Sequence, residues 1–523
     1  MPPACQSQQA GSSSPWQIEQ IALQAQVPCH QNPLAIPEIL SMIASFSSRH
    51  TLVSCLRVSR SWCEHFLPQI WTSVDINLQE KGMCPPRNVL ERHSSLVRKL
   101  KIRGPFREHF MYLDHICSFA YPNLFDLFIS SRTYESNAFI YFIQRHQQSL
   151  VSISVTVMST GVLEAIEGCS KLQQLQCWSL DLTKPKQWVF LHNCLWSRLK
   201  VLCAGYSYVP QEFRHVHPLQ VSPELPTSST SIQELTVRSR MDMDDIKAHC
   251  WTVQQCPHLV RLIWSTVSPP DNEPALDADS GPMHLMAEEI RRSGIKWVHI
   301  KYLELSGSNI YSRDLDSLIR TMPLLTTLNL SRTDINLDGW RVLRASPQLL
   351  LRLRELDLES CHCLPGSAVQ DMLCTMPNLE VFKAVSLSYT DAEQDDRPWL
   401  CHALKELSLT FDLGSPLRRS PSLEPKLLLR LSKLDRLKKC RIPYLGGHGP
   451  KFTLQSGLDL LCSLKNLTSF ECRITRRSWG AAEVDWVIEN WPNLRSLKGI
   501  TIPNNEQKRL DQHFAANKEN DMA

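Results

Sequence analysis

The sequence has 523 residues, of which 43% are hydrophobic and 21% are charged, and its formal net charge is +4. These values are typical of a globular protein, and the near balance of charge predicts neither a nucleic acid nor a membrane as a partner. The chain is too long for one ordinary core. It is therefore expected to contain a short domain and a long array whose core grows along one axis.

The N-terminal segment, residues 1–31, is rich in Gln, Ser and Pro and is predicted to be a disordered tail. It lacks a basic region followed by a long apolar run, so no secretory signal is predicted. No run of about 18 apolar residues occurs anywhere, so no membrane span is predicted either. The 19 cysteines are an odd number without framework spacing, which favours a reducing compartment. We therefore expect a protein of the cytoplasm, the nucleus or both.

Residues 32–76 are predicted to form a small helical domain. A stripe of apolar residues recurs there at helical spacing, namely Ile36, Ile39, Leu40 and Ile43. Pro37 stands where the first turn of a helix tolerates proline. A second helix is expected to begin behind Thr51 as its N-cap, and a short third helix is expected to end before Pro68.

This helical segment resembles the F-box. The resemblance rests on Ile36 to Ile43, on Leu52 to Trp62 and on Ile70-Trp71, which follow the order of the family. It implies that the segment docks on the Skp adaptor of a cullin-RING ubiquitin ligase, and through that adaptor on the cullin. The adaptor-binding residues that the resemblance implies are Leu34, Pro37, Ile39, Leu40, Ile43, Leu52, Val58 and Trp62.

Residues 77–90 are predicted to be a linker because Gly82 and Pro85-Pro86 interrupt any pattern. Residues 91–503 then follow the leucine-rich-repeat pattern, which is complete in the segment from Leu353 to Leu364. The position of Leu356 marks each unit, and most neighbouring markers are about 22 to 33 residues apart. The markers are Leu100, Leu127, Ile153, Leu175, Leu202, Leu235, Leu262, Leu303, Leu328, Leu356, Phe382, Leu407, Leu437, Phe470 and Leu497.

The predicted fold class is therefore α/β, with an all-helical F-box-like module followed by a leucine-rich-repeat solenoid in the form of a horseshoe. Two units are stretched, and their extra residues, 268–282 and 414–422, are expected to be polar loops. Residues 504–523 are polar and are predicted to be a tail.

The exposed strand positions of such an array form one concave wall, where binding is expected. The strand through Leu356 leaves three carboxylates on that wall, and crowded carboxylates attract a basic segment. The predicted substrate-binding residues are Tyr302, Glu304, Asn329, Glu355, Asp357 and Glu359. The alternative site is the basic first strand, which carries Lys99, Lys101 and Arg103. For any single charged residue, solubility of an exposed wall is the simpler explanation.

Motifs of catalysis and of metal binding are missing: there is no Gly-rich phosphate loop, no H-E-x-x-H and no paired C-x-x-C. Cys361-His362-Cys363 lacks the second half of a zinc site. The sequence therefore predicts a non-catalytic protein without cofactor or metal. Two functions remain open: the substrate-recognition subunit of an SCF-type E3 ubiquitin ligase, and a leucine-rich-repeat interaction scaffold whose helical front is only a cap.

Overall fold

Parallel strands, many of them separated by helices, build the described part of the array. The structure is a computed structural model that describes residues 34, 36–78, 85–104, 110–130, 137–181, 198–208, 231–240, 253, 256–267, 282–294, 296–308, 310–412, 423–443, 452–472 and 479–520. Over these residues, sixteen strands form one parallel sheet in the order of the chain. Three helices precede the sheet, so the predicted α/β class with a helical front is confirmed.

The strands are short, and each is followed by a return segment that brings the chain back to the same end of the sheet. They are β1 (Ser73–Asn77), β2 (Lys99–Arg103), β3 (Asp126–Ser130), β4 (Ser152–Met158), β5 (Gln174–Asp181), β6 (Val201–Tyr208), β7 (Glu234–Arg240) and β8 (Arg261–Val267). The second half comprises β9 (Tyr302–Glu304), β10 (Thr327–Asn329), β11 (Glu355–Leu358), β12 (Val381–Ser388), β13 (Glu406–Asp412), β14 (Lys439–Ile442), β15 (Ser469–Cys472) and β16 (Ser496–Lys498).

The helices fall into a front group and a group that alternates with the strands. The front has α1 (Pro37–Phe46), α2 (Arg49–Cys55) and α3 (Arg60–Thr72). The array has α4 (Arg87–His93), α5 (Phe110–Ser118), α6 (Asn137–Arg145), α7 (Thr160–Glu167), α8 (Pro282–Ser293), α9 (Ser312–Thr321), α10 (Leu337–Arg344), α11 (Pro347–Arg352), α12 (Gly366–Thr375), α13 (Tyr389–Gln394), α14 (Leu423–Leu431), α15 (Ala481–Asn490) and α16 (Asn504–Asn520).

The register of the sheet aligns one core residue from every strand in a single row. The row runs through Val74, Leu100, Leu127, Ile153, Leu175, Leu202, Leu235, Leu262, Leu303, Leu328, Leu356, Phe382, Leu407, Cys440, Phe470 and Leu497. Fourteen of the fifteen predicted markers are in this row. Because each residue packs against its counterparts on both sides, one core cluster extends from Leu40 to Leu510.

The marker predicted at Leu437 is wrong by three residues. Cys440 pairs with Leu407 and is 3% exposed, whereas Leu437 lies in the turn before the strand. A free thiol packs as a small hydrophobic group, so cysteine takes the place of leucine here. Four further cysteines that stand at apolar positions of the repeats are also buried, namely Cys169, Cys177, Cys361 and Cys472.

The array begins earlier than predicted. Strand β1 lies inside the segment assigned to the helical domain, and Val74 pairs with Leu100 of β2. The predicted linker, residues 77–90, also contains the start of α4 at Arg87. Strand β1 escaped detection because its core positions are Val74 and Ile76, whereas the repeat pattern has leucines there.

Two helix boundaries in the front differ from the expectation. Helix α2 begins at Arg49 because Ser48, not Thr51, is its N-cap, and the Ser48 hydroxyl accepts the Thr51 N–H over 3.2 Å. Helix α3 continues past Pro68 to Thr72. Proline removes only one hydrogen bond of the helix, and burial of Ile70 and Trp71 at 8% and 9% exposure holds the last turn.

Asparagine side chains join consecutive units on the side of the helices. In each case the side-chain amide donates to a backbone carbonyl of the preceding unit at 2.7 to 2.9 Å. The pairs are Asn123 with Ser95, Asn378 with Leu351, Asn466 with Asp435, and Asn493 with Lys465. Each of these asparagines stands shortly before a strand and links its unit to the one before it.

The predicted tail forms a helix instead. Helix α16 packs on α15, and its Leu510 is fully buried. Arg509 also pairs with Asp485 of α15. A polar surface concealed the helix from pattern analysis, because one buried leucine is a weak signal.

Three predicted segments lie outside the described residues: residues 1–31, the loop 414–422, and the loop 268–282 apart from its last residue, which begins α8. Among the helices that the structure describes, none combines the length and the hydropathy needed to cross a membrane.

Candidate functional site

Large apolar side chains are exposed on the helical front. Phe46 is 80% exposed and Met42 is 56% exposed on α1, and Val58 is 61% exposed between α2 and α3. Val53 on α2 and Leu34 before α1 are 42% and 39% exposed. Exposed apolar groups that gather on one small module mark an interaction surface.

The implied adaptor-binding residues divide into an inner and an outer set. Leu40 and Leu52 are 0% and 6% exposed and belong to the core of the front. The assignment of Leu40 and Leu52 to the adaptor-binding surface is therefore corrected, because a buried side chain cannot contact a partner in this conformation. Three short helices must bury some apolar residues against each other to hold together, and these two leucines serve that purpose.

The remaining implied residues lie at or near the surface. Leu34, Pro37 and Val58 are exposed, whereas Ile39, Ile43 and Trp62 are partly buried. Trp62 meets Phe66 edge-on, with ring centroids 5.3 Å apart, so part of its role is structural.

Sequence reasoning missed Met42, Phe46 and Val53. The signal was available on α1, since Ile39, Met42 and Phe46 follow each other at spacings of three and four and so share one face. That face is turned away from Leu40 and Ala44, which point into the core. Helix α1 is therefore apolar on two sides, one for its own domain and one open to solvent.

The concave wall has a fixed aromatic position at Tyr302. Its hydroxyl donates to Glu304 Oε2 over 2.7 Å, and the Arg261 guanidinium lies 3.5 Å from the ring centroid. Burial, followed by the hydrogen bond to the Glu304 carboxylate, raises the pKa of Tyr302 to about 12. The phenol therefore stays protonated and keeps its ring in a defined orientation at the wall.

Three of the predicted substrate-binding residues form one row across β9, β10 and β11. Glu304 pairs in register with Asn329, and Asn329 pairs with Asp357. Two of these side chains also bind their own backbone, because Asn329 Oδ1 accepts the Ser331 N–H and Asp357 Oδ1 accepts the Glu359 N–H. The ends of the strands thus hold the polar groups in place.

Cations from later strands pair with two of the three crowded carboxylates. Lys383 Nζ lies 2.9 Å from Asp357 Oδ2, and Arg441 Nη1 lies 3.2 Å from Glu359 Oε1. The expectation of an unscreened acidic wall therefore needs correction, since Lys383 and Arg441 were not among the predicted residues. Lys383 and Arg441 lie in the same row of the sheet as Asp357. They could have been found from the sequence, because each alternates with core residues along its strand and so lies on the face of the wall.

A cavity of about 220 Å³ opens on the wall beyond these pairs. Its lining is charged around the rim and small or apolar at its base. The lining residues are Glu359, Lys383, Glu406, Leu407, Ser408, Lys439, Cys440, Arg441, Ser469 and Glu471. These residues lie on β12 to β15 and, with Glu359, at the end of β11, so the cavity is an indented and charged part of the wall.

The basic first strand of the prediction is partly neutralised. Arg103 pairs with Asp75 of β1 at 2.6 Å. Lys101 lies 4.7 Å from the Phe128 ring centroid and Lys99 lies 5.7 Å from that of Phe125, which are cation–π distances. All three basic side chains of this strand thus make contacts within the chain, which gives them a structural role.

The cysteines point to no metal centre in the described part of the chain, where no three suitable side chains form a cluster. Cys361 is buried and its thiol donates to the Leu330 carbonyl over 2.9 Å, while Cys363 is exposed. Burial raises the pKa of Cys117, Cys401 and Cys440 to about 12, so these thiols are poor nucleophiles.

Comparison with known proteins gives a family match for the helical front. Residues 37–77 match the family model described as F-box-like. No curated protein matches the chain. Among solved structures, an internalin from Listeria monocytogenes is 13% identical, with a TM-score of 0.35, over 72% of this chain and 86% of that one. A chain of the yeast Rad7 and Elc1 complex is 13% identical, with a TM-score of 0.38, over 72% of this chain and 94% of that one. The F-box-like match runs from the first residue of α1 to the last residue of β1.

Proposed function

We propose that this chain is the substrate-recognition subunit of an SCF-type E3 ubiquitin ligase. The helical front docks on a Skp-type adaptor, and the repeats hold the protein that is to be ubiquitylated. The observation that carries the proposal is the match of residues 37–77 to the F-box-like model on the module that exposes Phe46 at 80%. F-box domains generally bind Skp-type adaptors.

The docking surface of the proposal is the outer face of the front. Its centre is the stripe of Ile39, Met42 and Phe46 on α1, which Val53 and Val58 extend toward α2. An amphipathic helix with an open apolar face is a usual contribution to such an interface. Leu40 and Leu52 act indirectly here, because they hold α1 and α2 in position.

We assign the array to the leucine-rich-repeat class. The support is the L-x-x-L-x-L pattern of the strands, with each unit turning back between strands that all run parallel. The substrate surface of the proposal is the wall of Tyr302, Glu304, Asn329, Glu355, Asp357 and Glu359. The carboxylates of Glu304 on β9 and of Glu355, Asp357 and Glu359 on and after β11 outnumber the two cations that pair there, Lys383 and Arg441, which favours a basic segment of the substrate. Tyr302 offers that segment an aromatic contact.

In this proposal the chain performs no chemistry itself and acts as an adaptor in the cytoplasm or the nucleus. A ligase that carries ubiquitin covalently needs an activated thiol. Burial instead raises the pKa of Cys169 and Cys374 to about 11, which supports a packing role for them.

A second function, an interaction scaffold without a ligase, has one observation in its favour. Helix α3 runs directly into β1, so the front covers the first strand of the array as a cap would. A cap alone does not account for Phe46 and Met42, since a cap turns its apolar residues toward the array.

The test is copurification of the full-length chain with a coexpressed Skp-type adaptor. Phe46→Glu places a charge in the proposed contact and is expected to lose the adaptor. Leu351→Glu changes a leucine of the array that is 51% exposed and is expected to keep it. Thermal unfolding of both variants should match that of the wild type, because neither side chain is buried.

Leu40→Ala is the second control. It should lose the adaptor only in proportion to its lower unfolding temperature, since Leu40 is buried. A wild-type chain that recovers no adaptor, or a Phe46→Glu variant that recovers as much as the wild type, would leave the scaffold function in place of the ligase.

A further inference from the structure

Ser408 is one of the residues that line the cavity on the wall. The register places Ser408 of β13 directly between Lys383 of β12 and Arg441 of β14. Neighbouring strands are about 4.8 Å apart, so the backbones that carry the two cations are about 10 Å apart. A serine between two long side chains leaves a notch, and this notch is part of the cavity of about 220 Å³.

The Ser408 hydroxyl makes no hydrogen bond with any described residue. The residue is only 5% exposed, yet it lines the cavity. The Ser408 hydroxyl faces the cavity, where a ligand can reach it. A hydroxyl can accept or donate a hydrogen bond, so the notch offers one polar contact to a ligand.

Carboxylates outnumber cations around the notch. The cavity lining holds three carboxylates, of Glu359, Glu406 and Glu471, and three cations, of Lys383, Lys439 and Arg441. Asp357, which lies beside the lining and pairs with Lys383, adds a fourth carboxylate. Asp357 pairs with Lys383 and Glu406 pairs with Lys439, each one to one. Arg441 is left with two carboxylates, so one negative charge is in excess and favours a cationic ligand.

The pKa of Lys383 agrees with an excess of negative charge around the notch. Burial alone lowers the pKa of a lysine, yet the carboxylates of Asp357, Glu406 and Glu359 raise the pKa of Lys383 above its ordinary value. A raised pKa in a partly buried cation indicates a negative surrounding field.

Arg441 bridges the two carboxylates that share it. Its Nη1 lies 3.2 Å from Glu359 Oε1, and its Nε lies 3.5 Å from Glu471 Oε1. The Arg441 side chain is 47% exposed, so it can turn into solvent without opening the core. A guanidinium from another protein would offer the same two carboxylates the same kind of charged hydrogen bonds.

We propose that this notch binds an arginine side chain of the captured protein and that Arg441 occupies the place of that side chain until the protein arrives. The proposal rests on the proposed function, whose substrate class it narrows. The incoming guanidinium donates to Glu359, Glu471 and Ser408 Oγ, while Arg441 turns to solvent. Arginine is preferred over lysine because its planar fork carries five N–H donors, which can serve several acceptors at once.

The experiment measures binding of small probes to the full-length chain by saturation-transfer difference NMR, which detects weak ligands of large proteins. The probes are the N-acetyl amides of arginine, lysine, citrulline and glutamate. Citrulline has nearly the shape of arginine without its charge, so it separates charge from shape. We expect arginine to bind most tightly and glutamate not to bind.

The variants give effects of opposite sign. Glu359→Gln with Glu471→Gln should weaken arginine binding by about fivefold or more, since each carboxylate contributes as a partly exposed ion pair does. Arg441→Met removes the competitor and should strengthen it by about fivefold, whereas Arg441→Lys should stay near the wild type. Ser408→Ala should weaken binding by a smaller factor. The matched control is Glu234→Gln, an exposed carboxylate on strand β7 of the same sheet.

Weaker or unchanged arginine binding by Arg441→Met, with unfolding like that of the wild type, would overturn the proposal. Tighter binding of the glutamate probe than of the arginine probe would overturn it as well and would make the notch an anion site. A chain that binds the arginine probe but no Skp-type adaptor would retain the notch and lose the ligase, so the two failures are distinguishable.

Discussion

Trp340 donates its indole N–H to Asp371 Oδ2 over 2.9 Å, which joins α10 to α12 on the helix side of the array. The carboxylate of Asp371 is 9% exposed and also pairs with Arg344 at 3.0 Å and Arg397 at 2.9 Å. One indole N–H and two guanidinium groups thus surround one nearly buried carboxylate, so the helix layer is held by polar contacts as well as by apolar packing.

Asp371→Ala is expected to lower the free energy of unfolding by about 2 to 3 kcal/mol, because it leaves the Trp340 N–H buried without an acceptor. Urea unfolding followed by circular dichroism measures this. Asp338→Ala, which removes an exposed pair with Arg341, should change the value by less than about 1 kcal/mol. Equal effects of the two variants would contradict the assigned role of Asp371.

Leu356→Ala should cost about 2 to 5 kcal/mol, since Leu356 is 0% exposed and packs between β10 and β12. Leu351→Ala on the surface of α11 is expected to cost about 0.5 kcal/mol or less. Both values come from urea unfolding of the full chain. A Leu356 variant as stable as the wild type would disprove the register of the core row.

His146→Phe should make stability less dependent on pH between about 6.5 and 4. Burial, followed by the nearby charge of Arg145, lowers the pKa of His146 to about 4 in the folded state. The unfolded chain then binds more protons in this window, so stability falls as pH falls from 6.5 toward 4. Phenylalanine does not titrate and can replace the ring contacts with Tyr121 and Phe142.

The measurement for His146 is the urea midpoint at pH 7 and at pH 5. The difference between the two midpoints should be smaller in His146→Phe than in the wild type. His50→Gln, a change of an exposed histidine, should keep the wild-type difference. A His146→Phe variant with the same pH dependence as the wild type would refute the buried neutral histidine.

Maleimide should label Cys363 and Cys462 in the native chain well before Cys401 and Cys440. The first two are exposed, whereas burial raises the pKa of both others to about 12 and removes their thiolates near neutral pH. Peptide mapping by mass spectrometry after a short reaction distinguishes them. Early labelling of Cys440 would place its strand outside the core row.

Much of the array could be predicted from the sequence because one physical requirement repeats in every unit. A strand that packs between two copies of itself must turn its leucine inward, so the leucine positions carry the register. The requirement concerns burial and not leucine as such. Cys440 and Val74 therefore fill the same place without matching the pattern.

The candidate sites were less accessible to pattern analysis. Apolar periodicity on α1 does not say which of two apolar faces meets the core, so Leu40 was assigned to the docking surface and the exposed Phe46 was missed. The wall shows the same limit. Arg441 follows Glu359 by 82 residues, and only the side-by-side arrangement of β11 to β14 brings them within 3.2 Å.

The strictly sequential order of the strands has a consequence for truncated forms of this chain. Each strand pairs only with the strand before it and the strand after it, so the array can be completed from the N-terminus as the ribosome releases it. Helices α1 to α3 and β1 are finished long before β9 to β15 exist. Under the proposed function, a chain cut short by a premature stop codon within the array would still dock on the adaptor without a substrate wall. Such a fragment would compete with the intact chain for the adaptor.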